Sequence, residues 1–406
     1  MKIALVQPVS FHTWEALSVG YLAAYLKKYG FKSIEFYSGF FDSDEGIISG
    51  CKNADIIGFS CTSPQVKHGL ELAKKIKNPR NYIVFGGCHP SALPDDTLEQ
   101  EFIDAVVVGE GEEAFLDIVR GNRDQIVRKP YIQNLDDIPF PDRQIIKQER
   151  NLQLSMKNHG RRIGGIFCNR GCPFSCVFCA SHSVWSRNCR FRSPENIFEE
   201  FEQIVKNLKL DFVTFADDEL GINKEQLISF CELKIKKGVK TPWGCNVVAS
   251  TLTDDLLSAM KKANCTELWI GVESGSPKIL KDIGKPNTIE KIKVIFKKTK
   301  DMGFIRRAYM LLGMPDESFE DIKMSEELID EIEPDIVGFT ILAPYPGTKF
   351  YDPQIHKDID WSIVDEYQNM LTNTKFISNE DLRKEQGRLV EKYKKIITVR
   401  QREAYV

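Results

Sequence analysis

The stretch that decides the fold is Cys168-Asn-Arg-Gly-Cys172-Pro-Phe-Ser-Cys176-Val-Phe-Cys179, which follows the apolar run Ile163–Phe167. Thiolates are the usual protein ligands of iron-sulfur clusters, and the spacing of Cys172, Cys176 and Cys179 suits three corners of a four-iron cube. A protein that supplies three ligands leaves one iron open, and catalysis at a metal requires such an open position. The sequence therefore predicts an iron-sulfur cluster that takes part in a reaction.

Cys168 leaves a second interpretation open. As a fourth ligand it would close the site into a structural zinc or iron-sulfur centre. Structural zinc sites usually combine two separated Cys-x2-Cys pairs, however, and this chain has one such pair, Cys176 with Cys179. Phe178, directly before the last cysteine, can shield a cluster from water. The open cluster is the interpretation that these residues favour.

Residues 163–342 alternate apolar runs with segments of helical period, such as 194–208, 253–262 and 318–332. Six strand–helix units in a row indicate an incomplete barrel, whose site would lie at the carboxyl ends of the strands. The predicted strands are 163–167, 212–216, 243–248, 267–272, 305–312 and 335–342.

The first 120 residues show the same alternation with continuous apolar strands, which is typical of a parallel sheet with helices on both faces. Helical periods cover 17–29, 66–77 and 112–119. Glycines stand at the carboxyl ends of the last two predicted strands, where such sheets bind ligands. The predicted strands are 2–8, 34–37, 55–61, 82–87 and 105–109.

A polar, proline-containing segment separates the two alternating regions and predicts an inter-domain connection. We therefore expect an α/β chain made of four parts. These are an N-terminal doubly wound, Rossmann-like domain (1–125), a linker (126–160), a partial (β/α)6 barrel (161–348) and a small helical C-terminal tail (349–406).

Composition narrows the class of protein. The net charge of −3 over 406 residues gives no basic field that would recruit nucleic acid, so no nucleic-acid partner is expected. No apolar run approaches the roughly 20 residues that span a bilayer, and the N-terminus lacks a signal-peptide pattern. Eleven cysteines in a protein expected to be cytoplasmic favour metal binding over disulfides.

The cysteine loop, placed after a strand and with an aromatic residue before its last cysteine, resembles the radical S-adenosylmethionine (radical SAM) superfamily. The resemblance continues outside the loop and points to the subclass with an N-terminal cobalamin-binding-type domain, which has a similar first helix at Ser18–Ala23. The other matching stretches are Arg190-Phe-Arg192-Ser-Pro-Glu195, Phe215-Ala-Asp217-Asp218, Gly271-Val-Glu273-Ser274-Gly275, Pro344-Tyr-Pro346-Gly347-Thr348 and Gly86-Gly87-Cys-His89-Pro90.

The resemblance implies roles for individual residues. Cys172, Cys176 and Cys179 would hold a [4Fe-4S] cluster whose open iron binds S-adenosylmethionine (SAM), and an electron from the cluster would release a 5′-deoxyadenosyl radical. A reductant such as flavodoxin or ferredoxin would supply that electron. Phe178 would lie against the cofactors, and the SAM contacts would come from Asp217, Asp218, Glu273 and Ser274. The alternative for these four residues is that they cap helices or face solvent.

One departure concerns the carboxylate of SAM. Members of the family often carry an arginine after the third barrel strand, whereas this chain reads Cys245-Asn246-Val247-Val248. The contact would be missing, or it would come from Arg306 or Arg307 on the fifth strand.

Cobalamin is the third expected cofactor. Gly86, Gly87 and Gly109 would let the backbone approach its nucleotide tail, and His89 would be a polar tail contact or would cap the turn. The chain has no Asp-x-His-x-x-Gly stretch, and His12 is a weak candidate ligand for cobalt because Ser10 and Glu15 occupy the flanking motif positions. We therefore expect cobalamin to bind base-off and without a protein histidine.

The resemblance implies a cobalamin-dependent radical SAM C-methyltransferase, which moves a methyl group from methylcobalamin to an unactivated carbon. The acceptor would be a natural product or a residue of a peptide or protein. The first alternative is an enzyme of the same architecture that performs cyclisation, oxidation or ring contraction. The second is a non-catalytic iron-sulfur or zinc protein that senses redox state.

Overall fold

The first sheet of the molecule is parallel and six-stranded. The computed structural model describes residues 1–9, 15–365, 367 and 369–398. The strands pair in the order β2-β1-β3-β4-β5-β6, and all neighbours run parallel. Their bounds are β1 Ile3–Gln7, β2 Ile34–Ser38, β3 Ile56–Ser60, β4 Tyr82–Gly86, β5 Ala105–Val108 and β6 Ile126–Arg128.

The chain order of the strands reverses between β1 and β3, which is the arrangement of a doubly wound sheet. Such sheets bind ligands in the crevice outside the carboxyl ends of the strands, at the point of reversal. Helices α1 to α6 follow the strands: Leu17–Lys28, Asp44–Cys51, Ser63–Ile76, Cys88–Ala92, Pro94–Leu98 and Gly111–Val119.

The segment expected to be a linker is part of the folded structure. Strand β6 pairs with β5, and helix α7 spans Glu149–His159. One compact unit contains residues 1–154, 180–190 and 345–363. The other contains residues 155–179 and 191–344 and the chain from residue 364 onward. The two compact units thus include short segments far along the chain, and the expected domain boundaries at 125, 160 and 348 stay a prediction.

The second sheet has six parallel strands in chain order, β7-β10-β11-β12-β13-β14, as a partial barrel requires. These strands are β7 Ile163–Ile166, β10 Phe212–Phe215, β11 Trp243–Val247, β12 Cys265–Glu273, β13 Ile305–Leu312 and β14 Ile336–Ile341. Two short strands lie between β7 and β10, β8 Asn169–Arg170 and β9 Arg190–Phe191. The predicted fold class, a Rossmann-like domain followed by a partial barrel and a helical tail, is confirmed.

Helices α8 to α16 complete the described chain. They span His182–Trp185, Pro194–Leu208, Lys224–Lys236, Asp254–Lys262, Pro277–Asp282, Ile289–Asp301, Phe319–Ile332, Pro353–His356 and Asn379–Lys392. No helix among the described residues is long and apolar enough to cross a membrane.

Helix α9 shows how local sequence sets these elements. The Ser193 side chain accepts a hydrogen bond from the Asn196 N–H, and Pro194 takes the first helical position, where an N–H is not needed. One stripe of the helix is apolar and buried, which fixes the helix on the sheet. The stripe consists of Ile197, Phe198, Phe201 and Ile204.

Side chains alternate between the two faces of the second sheet, and the two faces differ in burial. One face is fully buried and includes Phe215, Cys245, Ile270, Ala308 and Phe339. The strand register places another set of side chains together on the opposite face, where they are only partly buried. We call this the open face; it includes Thr214, Asn246, Trp269, Arg307, Tyr309 and Thr340.

Candidate cluster and cofactor site

The cysteine loop begins where β7 ends, at the carboxyl edge of the second sheet. Gly171 has a φ of 95°, a left-handed conformation that favours glycine, and it turns the chain just before Cys172. The Cys179 N–H donates to the Cys176 carbonyl at 3.2 Å. The Val177 N–H donates to the Ile283 carbonyl, just after α12, at 3.0 Å. These backbone hydrogen bonds help to fix the course of the loop.

The three predicted ligand thiols are each partly buried. Burial raises the pKa of Cys172 to about 12, and the charges of Asp218 and Cys179 add to this shift. Burial also raises the pKa of Cys176, with a further contribution from Cys179 and an opposing one from the Lys285 ammonium group. A cluster would have to displace these protons, since only thiolates ligate iron.

Cys168 lies in a different environment, with 1% of its surface exposed. Burial raises the pKa of its thiol well above the ordinary value, and the charged groups that act on it are Asp217, Arg192 and Glu200. Cys168 therefore belongs to the buried base of the loop, which weakens the interpretation as a fourth ligand.

Asp217, directly after β10, holds the first residues of the loop. Its Oδ1 atom accepts hydrogen bonds from the Cys168 N–H at 2.8 Å and the Asn169 N–H at 2.6 Å. The Asn246 side chain donates to the Asp217 carbonyl at 3.1 Å. Burial raises the pKa of Asp217 to about 7, because the desolvated carboxylate is disfavoured despite these donors. The structure gives this residue a positioning role; its predicted contact with SAM stays a prediction.

The two residues after Asp217 differ from each other. Asp218 is exposed, and its charge acts on Cys172, so it lies beside the cluster loop. Glu219 is 1% exposed, and its Oε1 atom accepts from the Gly221 N–H and the Thr251 hydroxyl, each at 2.9 Å. Its Oε2 atom is buried and without a partner among the described residues, and burial raises the pKa of the carboxyl group to about 7. Sequence reasoning missed Glu219, although it continues the acidic run that begins at Asp217.

Glu273 ends β12 and forms a buried ion pair with Lys285. Burial alone would lower the pKa of Lys285, but the adjacent Glu273 carboxylate raises it above its ordinary value. Glu273 has a φ of 68°, a left-handed conformation, at a bulge in the pairing with β13. A side chain at Gly271 would collide with both partners of the pair. Lys285 is not part of a recognisable sequence motif, so its pairing with Glu273 could not be predicted from the sequence.

Ser274 is fully buried in a network of hydroxyl groups. Its Oγ atom lies 3.2 Å from the Ser325 Oγ atom and accepts from the Ser276 N–H at 3.1 Å. The Ser276 hydroxyl in turn donates to Asp321 at 2.7 Å. The structure therefore places Ser274 in the turn that follows Glu273, and its predicted contact with SAM is still a prediction. Phe178 is partly buried beside Cys179.

The expectation that Arg306 could replace the missing arginine is wrong. Arg306 lies near the amino end of β13 on the buried face, where 3% of it is exposed. Its guanidinium group donates to Asp335 and to the Glu333 carbonyl, each at 2.8 Å. It is therefore occupied at the end of the strand opposite the cysteine loop. Arg307, one residue later, lies on the open face.

Glycines end two adjacent strands of the first sheet. A side chain at Gly87, whose φ is 101°, would lie 2.6 Å from the Cys61 carbonyl oxygen, so a close backbone approach requires this glycine. Gly86 is different: an added Cβ would meet nothing among the described residues closer than Val107, at 3.6 Å. The Gly109 N–H donates to the Ser91 hydroxyl at 3.0 Å. Gly86 thus leaves room above the sheet.

His89 is buried and lies with its Nδ1 atom 3.1 Å from the Ser63 hydroxyl. Burial lowers its pKa to about 4, so the imidazole is neutral at physiological pH. The Trp361 ring lies edge-on to it, with centroids 6.3 Å apart. His12, the candidate cobalt ligand, lies outside the described residues.

Two family models match the chain: the radical SAM superfamily over residues 166–329 and the B12 binding domain over residues 8–119. It is a radical SAM protein with a B12-binding domain. The first match contains the cysteine loop, Asp217 and Glu273, and the second contains the strand-end glycines. The predicted family and the predicted classes of cofactor are thereby confirmed.

Known proteins resemble this radical SAM protein over most of its length. An uncharacterized methyltransferase of Pyrococcus horikoshii is 29% identical over 88% of this chain and 84% of its own. An anaerobic magnesium-protoporphyrin IX monomethyl ester cyclase of Rubrivivax gelatinosus is 28% identical over 86% of this chain and 69% of its own. The radical SAM methyltransferase TsrM of Kitasatospora setae, solved with cobalamin and a [4Fe-4S] cluster, has a TM-score of 0.72 at 15% identity. It matches over 86% of this chain and 77% of its own, and this likeness shows the fold.

The donor set fits a radical SAM cluster better than a single metal ion. Three thiols share one loop, and the charge of Cys179 acts on both Cys172 and Cys176. Within the described ranges, no three His, Cys, Asp or Glu side chains converge so as to hold one ion. A cubane cluster presents separate irons to its ligands, so its thiolates need not converge.

Proposed function

We propose that the protein is a cobalamin-dependent radical SAM C-methyltransferase that acts on an unactivated carbon. The observation that carries the proposal is the presence, in one chain, of a B12-binding domain and a radical SAM domain with a three-cysteine loop. The methyltransferase relatives named above support it. When bound, the cluster, SAM and cobalamin supply the radical and the transferable methyl group; the protein supplies positions and exclusion of water.

The residues divide this work according to where the fold puts them. Cys172, Cys176 and Cys179 hold three irons. Asp217 fixes the entry of the loop through two backbone N–H groups, so the first ligand has a defined position relative to the sheet. Lys285 neutralises Glu273 at the carboxyl end of β12, where a desolvated carboxylate alone would be costly. Glu273 and the exposed Asp218 are our candidates for contacts with the SAM nucleoside and amino group.

The cobalamin half of the proposal places the nucleotide tail at the carboxyl ends of β3 to β5. Gly86 leaves room for a ligand there, and His89, neutral and bonded to Ser63, offers a fixed polar contact. We propose that cobalamin binds base-off without a protein histidine. The reductant would be flavodoxin or ferredoxin, and the protein would work in the cytoplasm, where a reducing environment protects the cluster thiolates.

The acceptor is a natural product or a residue of a peptide or protein. One observation favours an alternative reaction, since the relative in Rubrivivax gelatinosus is a magnesium-protoporphyrin IX monomethyl ester cyclase. The two reactions differ in their products. A product that carries a methyl group from isotopically labelled SAM supports the methyltransferase, and a product that has only lost hydrogen supports the cyclase-type reaction.

The test begins with protein reconstituted under strict anaerobic conditions with iron, sulfide and hydroxocobalamin. We expect about four irons per chain and cleavage of SAM to 5′-deoxyadenosine upon reduction. Cys172→Ala, Cys176→Ala or Cys179→Ala should each abolish cleavage. Cys168→Ala is the matched control and should keep the cluster. A Cys168→Ala variant that loses iron as completely as the other three would refute the open-site assignment.

A further inference from the structure

The Arg307 guanidinium group lies against aromatic rings and has no carboxylate partner among the described residues. Its guanidinium group lies over the Trp269 ring, 5.4 Å from the centroid, and 6.0 Å from the centroid of Tyr309. Its one hydrogen bond among the described residues is a long contact of 3.4 Å to the Tyr309 hydroxyl. The Nε atom is sealed from solvent and has no partner in the described part of the chain. The Arg307 cation therefore packs on two aromatic rings and has no carboxylate partner in the described part of the chain.

Three other arginines of this unit are each paired with a carboxylate. Arg306 bonds Asp335, Arg192 bonds Glu200, and Arg161 bonds Glu267 at 2.9 Å. Glu267 is the acid two residues before Trp269 on the same strand face, and it is already engaged by Arg161 and by the Trp269 indole N–H. No carboxylate pairs with Arg307 within residues 1–9, 15–365, 367 and 369–398. Desolvated charges are ordinarily paired, because an unpaired one is costly.

We propose that Arg307, Trp269 and Tyr309 form a subsite that binds an anionic oxygen group of the substrate, a carboxylate or a phosphate. The inference rests on the proposed function, because it assigns part of the open face to the substrate of that reaction. The guanidinium group presents donors in a planar fork that matches such anions, and the flanking rings hold the fork in place. An entering anion would satisfy the orphaned Nε–H and neutralise the cation.

The position of the subsite along the strand sets the dimensions of the substrate. Arg307 pairs in register with Trp269, four residues before Glu273 on β12. The bulge in β12 shifts this pairing, so that Glu273 pairs with Met310, three residues after Arg307 on β13. At about 3.3 Å per residue, Arg307 lies roughly 10 Å along the strand from the level of Glu273, and the reacting carbon would lie on the order of 10 Å from the anionic group. A substrate as small as a free amino acid would not reach both positions.

The experiment observes the arginine Nε–H resonances of the full, cluster-loaded chain by nitrogen-15 NMR during titration with acetate and, separately, with inorganic phosphate. The Arg307 resonance is assigned from its absence in Arg307→Gln and Arg307→Lys. We expect it to shift in a saturable manner with one of the two anions. Saturation by acetate identifies a carboxylate subsite, and saturation by phosphate identifies a phosphoryl subsite. We expect Arg307→Gln to weaken binding of that anion at least tenfold, as followed through the Trp269 indole N–H resonance, which every variant retains.

Arg383→Gln, on helix α16, is the matched control and should leave the titration unchanged. The proposal is overturned if neither anion moves the Arg307 resonance more than that of Arg383. It is also overturned if Arg307→Gln weakens SAM binding tenfold, because Arg307 would then serve the carboxylate of SAM. Failure of the proposed function has a different signature: the unmodified protein would transfer no methyl group, while anion binding at Arg307 would be intact.

Discussion

The buried pair of Glu273 and Lys285 allows a quantitative prediction. Their side chains are 11% and 8% exposed, so each charge depends on the other for stabilisation. Replacing Lys285 with methionine keeps the length of the side chain but leaves the Glu273 carboxylate buried without a cation. Breaking one side of a buried pair costs about 3–5 kcal/mol. For a unit of this size, 1 kcal/mol lowers the melting temperature by about 2–4 °C, so Lys285→Met should lower it by roughly 6–20 °C.

A matched control exists in the pair of Lys293 with Glu331, whose side chains are 40% and 56% exposed. Exposed pairs contribute about 0–1 kcal/mol, so Lys293→Met should lower the melting temperature by less than about 4 °C. The double variant Lys285→Met with Glu273→Gln removes both charges together. We expect it to recover most of the stability that the single variant loses, because no unpaired charge remains.

The assay is thermal unfolding of cluster-loaded protein under anaerobic conditions, followed by far-ultraviolet circular dichroism, with iron content measured on the same samples. Two results would refute the reasoning. One is a Lys285→Met variant that melts within the range of Lys293→Met, since the pair would then be no better shielded than a surface pair. The other is a double variant no more stable than Lys285→Met alone, since relief of the unpaired carboxylate would then not explain the loss.

Two further predictions concern the loop and the cobalamin half. Asp217→Ala leaves two buried N–H groups without an acceptor, at a cost of about 1–3 kcal/mol each, so this variant should melt at a lower temperature and lose iron. Asp217→Asn retains an acceptor oxygen and should keep both its melting temperature and its iron. Equal iron content in the two variants would contradict the positioning role of Asp217. Gly86→Ala fills space that the fold does not need, so it should weaken hydroxocobalamin binding at least tenfold in an absorbance titration without lowering the melting temperature. Gly387→Ala on helix α16 is the control for Gly86→Ala. Unaltered cobalamin affinity in Gly86→Ala would show that the nucleotide tail does not bind at the end of β4. His12→Ala should leave the spectrum of bound cobalamin unchanged.

Most of the fold could be predicted because the pattern of apolar residues is local. The six barrel strands were placed within about two residues of their observed bounds, and β13, Ile305–Leu312, matches at both ends. Strand β6 was missed because Val127 is its single buried residue, which is too little pattern to distinguish a strand from a linker. The assignment of residues 345–363 to the first unit depends on tertiary contacts, and no local pattern encodes it.

The two adjacent arginines show where sequence reasoning stops. Arg306 and Arg307 have the same chemistry and follow the same apolar residue, so the sequence alone offered both as ligands. Successive residues of a strand point to opposite faces, and the register with β12 and β14 decides which residue faces which side. That register is a property of three strands together. The register places Arg306 on the buried face, where it bonds the Glu333 carbonyl at the end of α14, and it leaves Arg307 on the open face.

The same limit applies to the acidic residues at the strand ends, and it changes how their roles are assigned. A carboxylate after a barrel strand was predicted to contact SAM because ligands bind at that edge. In the structure Asp217 turns one oxygen to the backbone of the cysteine loop, Glu219 receives donors from neighbouring loops, and Glu273 is neutralised by Lys285. Loop backbone carries N–H groups that no strand satisfies, and these compete with a ligand for every acceptor nearby. A position at the carboxyl edge of the sheet therefore identifies these acids as residues of the site. Whether a given carboxylate oxygen contacts SAM depends on which hydrogen bonds that oxygen already accepts from the protein.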